Sequence, residues 1–416
     1  MKDIKFSVII PTRERVDTLV HALATCTTQD YDNLDIVVSD NFSQDNTREV
    51  VSSFSDPRIK YLNTGKRISM SHNWEFALNH ITEGWVTFLG DDDGLLPGAI
   101  NAVADVVEKT GCQAVVSRQC GYWWPESARQ DTDWFRVAAN CLIVPLGKGF
   151  QLRNGRDWLR KVMRQDAEHI DLPWLYTGGF ADIRAVNRAR GPTGEFFLSM
   201  IPDLYSSIAL ASVVDTYVIL KEPVAVCGVS SHSAGNAWIS VKKSDRKQAE
   251  VFFSENNIPF HSMLAGGEVL KSVQIAVYES YLQTAHLHHN FLKIKLEDQL
   301  ALILAGTPKQ DYSEISKYCY GVAQSNGVDR NILDRKTSSE RKRLFLRRLN
   351  QTLGVVFGQL NLSDDKRVII RDAREFGATN IYGATLLAKA VYLLETRYTN
   401  LPLDLLTSLI KAGFKR

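Results

Sequence analysis

Three adjacent carboxylates, Asp91, Asp92 and Asp93, interrupt an apolar run in the segment VTFLGDDDGLLP, residues 86–97. Acids in turns often cap helices or face water. At the end of a buried strand, however, each unpaired carboxylate loses hydration and is repelled by its neighbours. A hard divalent cation offsets both effects, and oxygen ligands without nearby Cys or His favour Mg²⁺ or Mn²⁺. The segment therefore predicts a metal site, with capping of the following LLPGAI segment and plain surface charge as the alternatives.

The elements that must position these acids alternate between strand and helix over the first hundred residues. KFSVIIP, LDIVVSDN, RIKYLN and WVTFLG have strand patterns, and helical patterns follow each of them. Such alternation implies a mostly parallel sheet that is covered on both faces. In these sheets ligands bind beyond the carboxyl ends of the strands. Those ends are residues 11–13, 40–41, 63–65 and 91–93, so we expect their polar groups to converge on one crevice.

Composition and charge exclude several classes of protein. The 416 residues are 44% hydrophobic and carry a net charge of +2, which argues against nucleic acid as a partner. Six scattered cysteines without a CxxC pair fit reduced thiols better than a disulfide framework or a zinc site. The chain has neither a signal-peptide pattern nor an apolar run of about 18 residues that would span a membrane. We expect a cytoplasmic protein, either soluble or peripheral at the inner face of the cytoplasmic membrane.

The pattern changes near residue 240, after which helical periodicity dominates and strand signals are few. We therefore predict an α/β domain over residues 1–238 and a mainly helical domain over residues 239–416. The first domain divides into a nucleotide-binding half, residues 1–112, and a more irregular acceptor half, residues 113–238. No internal repeat or low-complexity tract is visible.

Four segments resemble, in order, the successive motifs of the family 2 glycosyltransferases. They are FSVIIPTRER, IVVSDNFSQDNT, WVTFLGDDDGLLPGAI and IPDLYSSIAL, and the resemblance covers residues 4–232. It implies the GT-A nucleotide-sugar-binding fold, which is Rossmann-like with a mixed, mostly parallel sheet. It also implies an inverting transfer assisted by Mn²⁺ or Mg²⁺.

The resemblance assigns nucleotide-binding roles by position. The end of the first strand meets the base, Asp40 accepts a hydrogen bond from a uracil ring, and Asn41 lies beside it. A basic residue near the nucleotide corresponds to Lys66 or Arg67. The candidate nucleotide-binding residues are Pro11, Thr12, Arg13, Asp40, Asn41, Lys66, Arg67 and Asp91.

The metal-binding motif of the family departs from its usual form, because its first acid falls on Gly90. Asp92 then becomes the principal metal ligand, with Asp91 toward the ribose and Asp93 either supporting the metal or facing the acceptor. His232 follows the last strand of the domain, where some relatives place a histidine that reaches the metal or the diphosphate. The alternative for His232 is a loop histidine with no ligand.

Asp203 is the candidate general base, since an acceptor hydroxyl needs one and Asp203 matches the acid that opens the family's acceptor-side helix. The alternative is a helix N-cap, with Asp171 and Asp182 as reserve bases. Trp123 and Trp124 are candidates for stacking on a sugar, or else fill core. The histidines in HLHH, residues 286–289, fit packing better than metal binding.

Residues 335–349 of the C-terminal part form a basic amphipathic pattern with interleaved leucines. Such a helix lies on an anionic bilayer, or packs its leucines on a neighbouring helix. The sequence leaves open whether the C-terminal helices serve membrane docking, homo-oligomerisation or acceptor binding.

The leading hypothesis is a metal-dependent, inverting glycosyltransferase that uses a UDP-linked donor. Its acceptor would be a glycan or lipid-linked glycan in the synthesis of a bacterial surface or capsular polysaccharide. The alternative is a non-catalytic module that binds glycan or nucleotide, because the first acid of the metal-binding motif is replaced by Gly90. A sugar-nucleotide nucleotidyltransferase is disfavoured, because PTRERVDT lacks the glycines of a phosphate loop.

Overall fold

The computed structural model describes residues 4–127, 139–231, 255, 258–267, 270, 272–356 and 367–397. The elements up to residue 229 are β1 (Phe6–Thr12), α1 (Val16–Thr27), β2 (Leu34–Asp40), α2 (Thr47–Ser53), β3 (Ile59–Asn63), α3 (Met70–Leu78), β4 (Trp85–Phe88), β5 (Gly94–Leu95), α4 (Ala99–Thr110), β6 (Ala114–Ser117), β7 (Cys120–Trp123), β8 (Cys141–Pro145), β9 (Phe150–Asn154), α5 (Gly155–Met163), β10 (Gly179–Asp182), α6 (Ile183–Arg188), α7 (Pro202–Val213), β11 (Thr216–Leu220) and β12 (Ala225–Val229). The later elements are α8 (Val273–Gln283), α9 (Ala285–His288), α10 (Leu296–Gly306), α11 (Tyr312–Ser325), α12 (Arg330–Val356), β13 (Val368–Asp372) and α13 (Ile381–Arg397).

The main sheet has eight strands in the order β3-β2-β1-β4-β10-β6-β11-β9. The first four strands are parallel, β6 and β11 are also parallel, and β10 and β9 run against their neighbours. The predicted mixed, mostly parallel α/β sheet is therefore confirmed.

Helices cover both faces of this sheet because successive strand residues point to opposite sides. On one face Val8 and Ile10 pack with Leu19 of α1 and Val103 of α4. On the other face Ile9 packs with residues of α3 and α7. Burial on both faces is what the continuous apolar runs of β1, β2 and β4 require.

A second sheet has the order β13-β8-β7-β12-β5 and brings two distant parts of the chain together. Its edge strand β13 pairs antiparallel with β8, with Ile370 opposite Ile143. Helix α13 packs on this sheet, and Ile381, Ala384 and Leu387 share a buried cluster with residues of β7, β8 and β12. Residues 367–397 thus pack on the N-terminal part, and the boundary at residue 238 stays a prediction.

Four other C-terminal helices, α8, α10, α11 and α12, pack around α5 and α7 in a separate buried cluster. His288 is 2% exposed, stacks on Tyr281 at 4.1 Å, and lies 2.8 Å through Nε2 from the Tyr281 carbonyl oxygen. It therefore fills core, as the sequence predicts for this histidine run. Among the described residues, no helix is both long enough and apolar enough to cross a membrane.

Candidate active site

The carboxyl ends of β1, β2 and β3 are joined by backbone hydrogen bonds that continue past the strands. The Asn41 N–H donates to the Thr12 carbonyl at 2.9 Å, and the Thr64 N–H donates to the Asp40 carbonyl at 3.1 Å. In the register of the sheet, Thr12 lies opposite Asp40, and Asp40 lies opposite Asn63. The polar strand ends predicted from the sequence therefore form one edge.

Asp91 is 2% exposed and is held from β1 and α1. The Thr12 hydroxyl donates to its Oδ2 at 2.8 Å, and Arg15 Nη1 donates to its Oδ1 at 3.1 Å. Burial lowers the pKa of Arg15, but Asp91 and then Asp92 raise it by more, so the net shift is upward. Thr12 and Arg15 together compensate the first of the three acids.

Asp92 is buried beside the second sheet. Ser230 donates to its Oδ2 at 2.6 Å, and the Trp124 indole N–H donates to its backbone carbonyl at 3.1 Å. Burial raises the pKa of Asp92 to about 7, with repulsion from Asp93 and Asp91 adding to the effect. Asp92 is therefore the acid of the three that most needs a positive charge.

Asp93 is fully buried and accepts donors at both carboxylate oxygens. The Gly228 N–H donates to Oδ1 at 2.6 Å, while the Gly90 N–H, at 3.2 Å, and the Thr177 hydroxyl donate to Oδ2. Burial raises the pKa of Asp93 even against these hydrogen bonds, and the Tyr176 hydroxyl is a further donor that lowers it. The carboxylate is thus engaged by the protein itself and joins the end of β4 to β12.

Close packing explains the glycine at position 90. A Cβ atom there would lie 2.6 Å from Asp93 Oδ2 and 2.6 Å from the Tyr176 hydroxyl. Both distances are far below van der Waals contact, so any side chain would displace one of these groups. The surrounding side chains therefore leave no space for the acid that the family motif has at this position.

Asp203 lies in the first turn of α7 and faces the same region. The N-cap of the helix is Ile201, with Pro202 at the first helical position, so the N-cap interpretation of Asp203 is wrong. Burial raises the pKa of Asp203, opposed by the backbone N–H groups of Leu204 and Asp203 itself. Burial raises the pKa of Tyr176, and Asp93, Asp92 and Asp203 raise it further. The Tyr176 hydroxyl is therefore within electrostatic reach of both acidic groups.

Asp40 is 2% exposed at the predicted base-binding edge. Its Oδ2 accepts from the Tyr61 hydroxyl at 2.5 Å and from Asn63 Nδ2 at 3.0 Å, and its Oδ1 accepts from the Ser43 N–H at 2.9 Å. A carboxylate has about four acceptor positions, so one of them has no donor among the described residues and is open to a ligand donor. These contacts hold Asp40 in a fixed orientation.

Asn41 holds the loop that carries the two candidate basic residues. Its Nδ2 donates to the Ile68 carbonyl at 2.6 Å, and its Oδ1 accepts from the Ile68 N–H at 2.9 Å. This loop borders a cavity of about 610 Å³ that is lined by Lys66, Arg67, Ile68, Ser69, His72 and Glu255. Both polar ends of the Asn41 amide serve the loop, so Asn41 positions Lys66 and Arg67.

Glu255 forms ion pairs with two of the predicted nucleotide-binding residues. Its carboxylate accepts from Arg13 Nη1 at 2.9 and 3.1 Å and from Arg67 at 2.8 and 3.0 Å. The carboxylate of Glu255 thus contacts the two arginines that the sequence predicts to bind the negatively charged nucleotide. Pro11 lies in β1, opposite Ser39, just before these residues.

The three predicted metal ligands differ in how well their surroundings suit a metal ion. The described residues contain no group of three or more His, Cys, Asp or Glu side chains arranged to hold a metal ion. Asp92 still fits a divalent cation. The Ser230 hydroxyl donates to only one of its oxygens, Oδ2, and the raised pKa of Asp92 indicates that its negative charge is poorly compensated. Asp93 fits less well, because both of its oxygens accept protein donors. His232 lies outside the described residues.

The aromatic prediction for Trp123 and Trp124 stays a prediction. Trp124 is 4% exposed and its indole N–H donates to the Asp92 carbonyl, which favours the alternative that this ring fills core. Trp123 is half-buried in β7. The reserve bases are engaged elsewhere, since Asp171 pairs with Arg153 and Asp182 pairs with Arg184.

Several residues of the site were missed from the sequence. Arg15 lies just after the first strand, and its positive charge close to the predicted acidic site could have indicated its role. Thr177, Gly228 and Ser230 carry no such signal, because their roles arise from packing against residues more than 80 positions away. Tyr176 and Glu255 are missed for the same reason.

The N-terminal part of the chain is similar to known proteins. Residues 7–150 match the family described as Glycosyl transferase family 2. A Campylobacter jejuni protein named GalNAc(5)-diNAcBac-PP-undecaprenol beta-1,3-glucosyltransferase is 40% identical over 102 residues, which are 24% of this chain and 33% of that protein. The Escherichia coli UDP-Glc:alpha-D-GlcNAc-diphosphoundecaprenol beta-1,3-glucosyltransferase WfgD is 32% identical over 93 residues, which are 22% of this chain and 37% of that protein. The chain spans about a third of the length of these two curated relatives.

Among solved structures, Staphylococcus aureus TarS 1-349 in complex with UDP-GlcNAc aligns with a TM-score of 0.45 and 14% identity, over 82% of this chain and 92% of that one. A mannosyltransferase of Pyrobaculum calidifontis in complex with GDP-Man and Mn²⁺ aligns with a TM-score of 0.38 and 16% identity, over 79% of this chain and 88% of that one.

Proposed function

We propose that this chain, whose residues 7–150 match the description Glycosyl transferase family 2, transfers a sugar from a nucleotide-sugar donor to a hydroxyl of a glycan acceptor. One observation carries the proposal: the short segment 175–177 is bound to both acidic groups, since the Leu175 N–H donates to the Ser206 hydroxyl of α7 at 2.9 Å and the Thr177 hydroxyl donates to Asp93. The acids after β4 and the helix that carries Asp203 are thereby held by one segment, which brings donor-side and acceptor-side groups together as glycosyl transfer requires.

The donor is proposed to be a UDP-sugar. Asp40 has a free acceptor position for the N–H of a uracil ring, and Arg13, Lys66 and Arg67 supply cations near the nucleotide. A relative of this chain is named for UDP-Glc as its donor. The phosphates of such a donor would meet the positive charges that Glu255 now pairs with.

Asp92 would hold a divalent cation, Mn²⁺ or Mg²⁺, at the diphosphate. Such an ion supplies charge neutralisation to the leaving nucleoside diphosphate. Asp91, held by Thr12 and Arg15, is proposed to face the ribose. Asp93 is proposed to support Asp92 through the backbone rather than to bind the cation, because its oxygens are engaged.

Asp203 would act as the general base that removes the proton of the acceptor hydroxyl. Its raised pKa brings it closer to the range in which a carboxylate accepts a proton efficiently near neutral pH. Direct attack by the activated hydroxyl on the anomeric carbon needs no enzyme nucleophile, and it inverts the configuration at that carbon.

The acceptor is proposed to be a lipid-linked glycan at the inner face of the cytoplasmic membrane. The two named relatives act, by their names, on sugars linked to undecaprenol through a diphosphate. Helix α12 presents Phe345, Leu346 and Leu349 to solvent, with exposed fractions of 64%, 55% and 41%. An exposed apolar group beside basic residues fits an anionic membrane surface.

Thermal unfolding tests the proposal. UDP with Mn²⁺ is expected to raise the unfolding midpoint, and EDTA is expected to reverse most of that rise, because the ligand binds only the folded state. GDP with Mn²⁺ is the matched control for the base. A screen of sugar nucleotides then measures slow donor hydrolysis without acceptor. No nucleotide-dependent shift would refute the proposal, and a shift without hydrolysis or transfer would favour a non-catalytic binding module.

A further inference from the structure

Tyr176 lies at the centre of the candidate site, although no motif in the sequence indicates it. Its ring stacks on Trp74 with centroids 5.6 Å apart and meets Trp174 edge-on at 5.7 Å. Two aromatic neighbours fix the ring, so the position of its hydroxyl is determined by packing. That hydroxyl reaches Asp93.

The hydroxyl occupies space that a side chain at position 90 would need. A Cβ at Gly90 would approach Tyr176 Oη to 2.6 Å and Asp93 Oδ2 to 2.6 Å. Residue 90 is where the family motif has its first acid. In this chain, the Tyr176 hydroxyl and the Asp93 carboxylate therefore occupy the space that a side chain at position 90 would need.

The contacts of Asp93 carry the effect to the neighbouring acid. Asp93 accepts the Gly228 N–H, and a Cβ at Gly228 would lie only 1.8 Å from the Asp92 carbonyl oxygen. The strand at Gly228 thus packs directly on the Asp92 backbone. A displacement of Asp93 would reach Asp92 through this contact.

We propose that Tyr176 is a positioning residue for glycosyl transfer, whose hydroxyl occupies the space left free by Gly90 and fixes Asp93 and, through it, Asp92. The inference rests on the proposed function. The preceding residue, Leu175, donates its N–H to Ser206 of α7 at 2.9 Å, so Tyr176 lies in the segment that connects the donor-side acids to the helix carrying Asp203. Loss of the hydroxyl should therefore affect the reacting geometry more than the binding of the nucleotide.

The first test is Tyr176→Phe, which removes the hydroxyl and keeps the ring. We expect kcat to fall between about tenfold and about a hundredfold, with the donor KM and the unfolding midpoint close to those of the wild type. Tyr31→Phe is the matched control, because that hydroxyl donates to the Ile4 carbonyl at 2.7 Å, away from the site. An unchanged kcat in Tyr176→Phe beside an active wild type would overturn the inference, whereas an inactive wild type would refute the proposed function instead.

The second test measures coupling between the two positions. Gly90→Ala is made in the wild type and in the Tyr176→Phe background, and kcat is measured for all four proteins. The added methyl group meets the hydroxyl in the first background only, so the loss from Gly90→Ala should be smaller in the second. Equal losses in the two backgrounds would contradict a shared volume and overturn the inference.

Discussion

At the scale of single residues, Asp203 differs from the other acids of the acceptor half in its partners. Asp171 and Asp182 form ion pairs with arginines at 3.2 and 2.6 Å. The shift described for Asp203 has only burial and backbone N–H groups as its causes. A carboxylate without a guanidinium partner keeps more of its basicity, which is what a general base needs.

Asp203→Asn tests this role directly. The amide keeps the shape of the side chain but does not accept the proton, so transfer should fall by about a hundredfold or more while UDP binding persists. Nucleotide binding is measured by thermal shift, and transfer by product formation. Asp171→Asn is the control and should retain most of the transfer. Undiminished transfer by Asp203→Asn would remove Asp203 as the base.

Glu255 provides a second prediction at this scale. Because its carboxylate pairs with Arg13 and Arg67, it competes with the negative charge of an incoming nucleotide. Glu255→Gln should weaken both ion pairs and lower the donor KM by about threefold, with little change in kcat. Glu83→Gln, an exposed acid at the opposite end of the sheet, is the control. A raised KM would show instead that Glu255 orients the two arginines for the donor.

At the scale of elements, the sequence predicted what depends on local pattern and missed what depends on distant pairing. The strands β1, β2, β3 and β4 follow from their apolar runs, and their order along the chain placed the polar ends at one edge. Strands β5, β10 and β13 were not predicted, because β5 has only two residues and the other two form by pairing with strands that are distant in the sequence. The contact from Ser230 to Asp92 joins positions 138 residues apart, which no local pattern encodes.

Glu279 in α8 offers a prediction about how elements are joined. This buried carboxylate accepts from the Ser199 hydroxyl at 2.6 Å, Gln283 Nε2 at 2.8 Å and the His261 N–H at 3.3 Å. Burial outweighs these donors and raises the pKa of Glu279 to about 7. The folded protein therefore holds a proton that the unfolded chain releases near pH 4.

The contribution of Glu279 to the stability of the protein should accordingly decrease as the pH rises from about 4 to about 7, because the raised pKa favours folding only while Glu279 stays protonated. The loss attributable to this residue is at most on the order of 3 kcal/mol. Glu279→Gln should flatten the dependence, measured as the denaturant midpoint at each pH. Glu314→Gln, at an exposed position of α11, is the control. An equally steep dependence in Glu279→Gln would contradict the prediction.

At the scale of the whole molecule, the C-terminal part contributes in two ways. Residues 367–397 complete the second sheet, whose strand β12 holds Asp93 through Gly228. Helix α12 is fixed to the turn after α5, since Arg343 Nη1 lies 2.7 Å from Asp166 Oδ1 and Arg347 Nη2 donates to the Asp166 carbonyl at 2.8 Å. These cations of the predicted basic helix therefore serve packing within the protein.

The remaining face of α12 is the one that we expect to meet a membrane. Arg341, Lys342 and Arg348 are exposed beside Phe345 and Leu346. Apolar side chains enter the boundary of the bilayer while basic side chains meet anionic headgroups. The face thus has both of the components that reversible membrane binding requires.

Replacing Leu346 and Leu349 together by Glu should weaken binding to vesicles that contain phosphatidylglycerol by about tenfold or more, because each change removes apolar burial and adds repulsion. Sedimentation with vesicles measures the binding, and pure phosphatidylcholine vesicles should bind the wild type less. Asn331→Glu, an exposed position at the start of the same helix, adds one negative charge outside the face and should have a smaller effect. Transfer to a soluble acceptor should be unchanged in the double variant, because neither leucine is among the residues of the candidate active site, while transfer to a lipid-linked acceptor in vesicles should fall. Equal vesicle binding by the wild type and the double variant would exclude this face of α12 as the membrane contact.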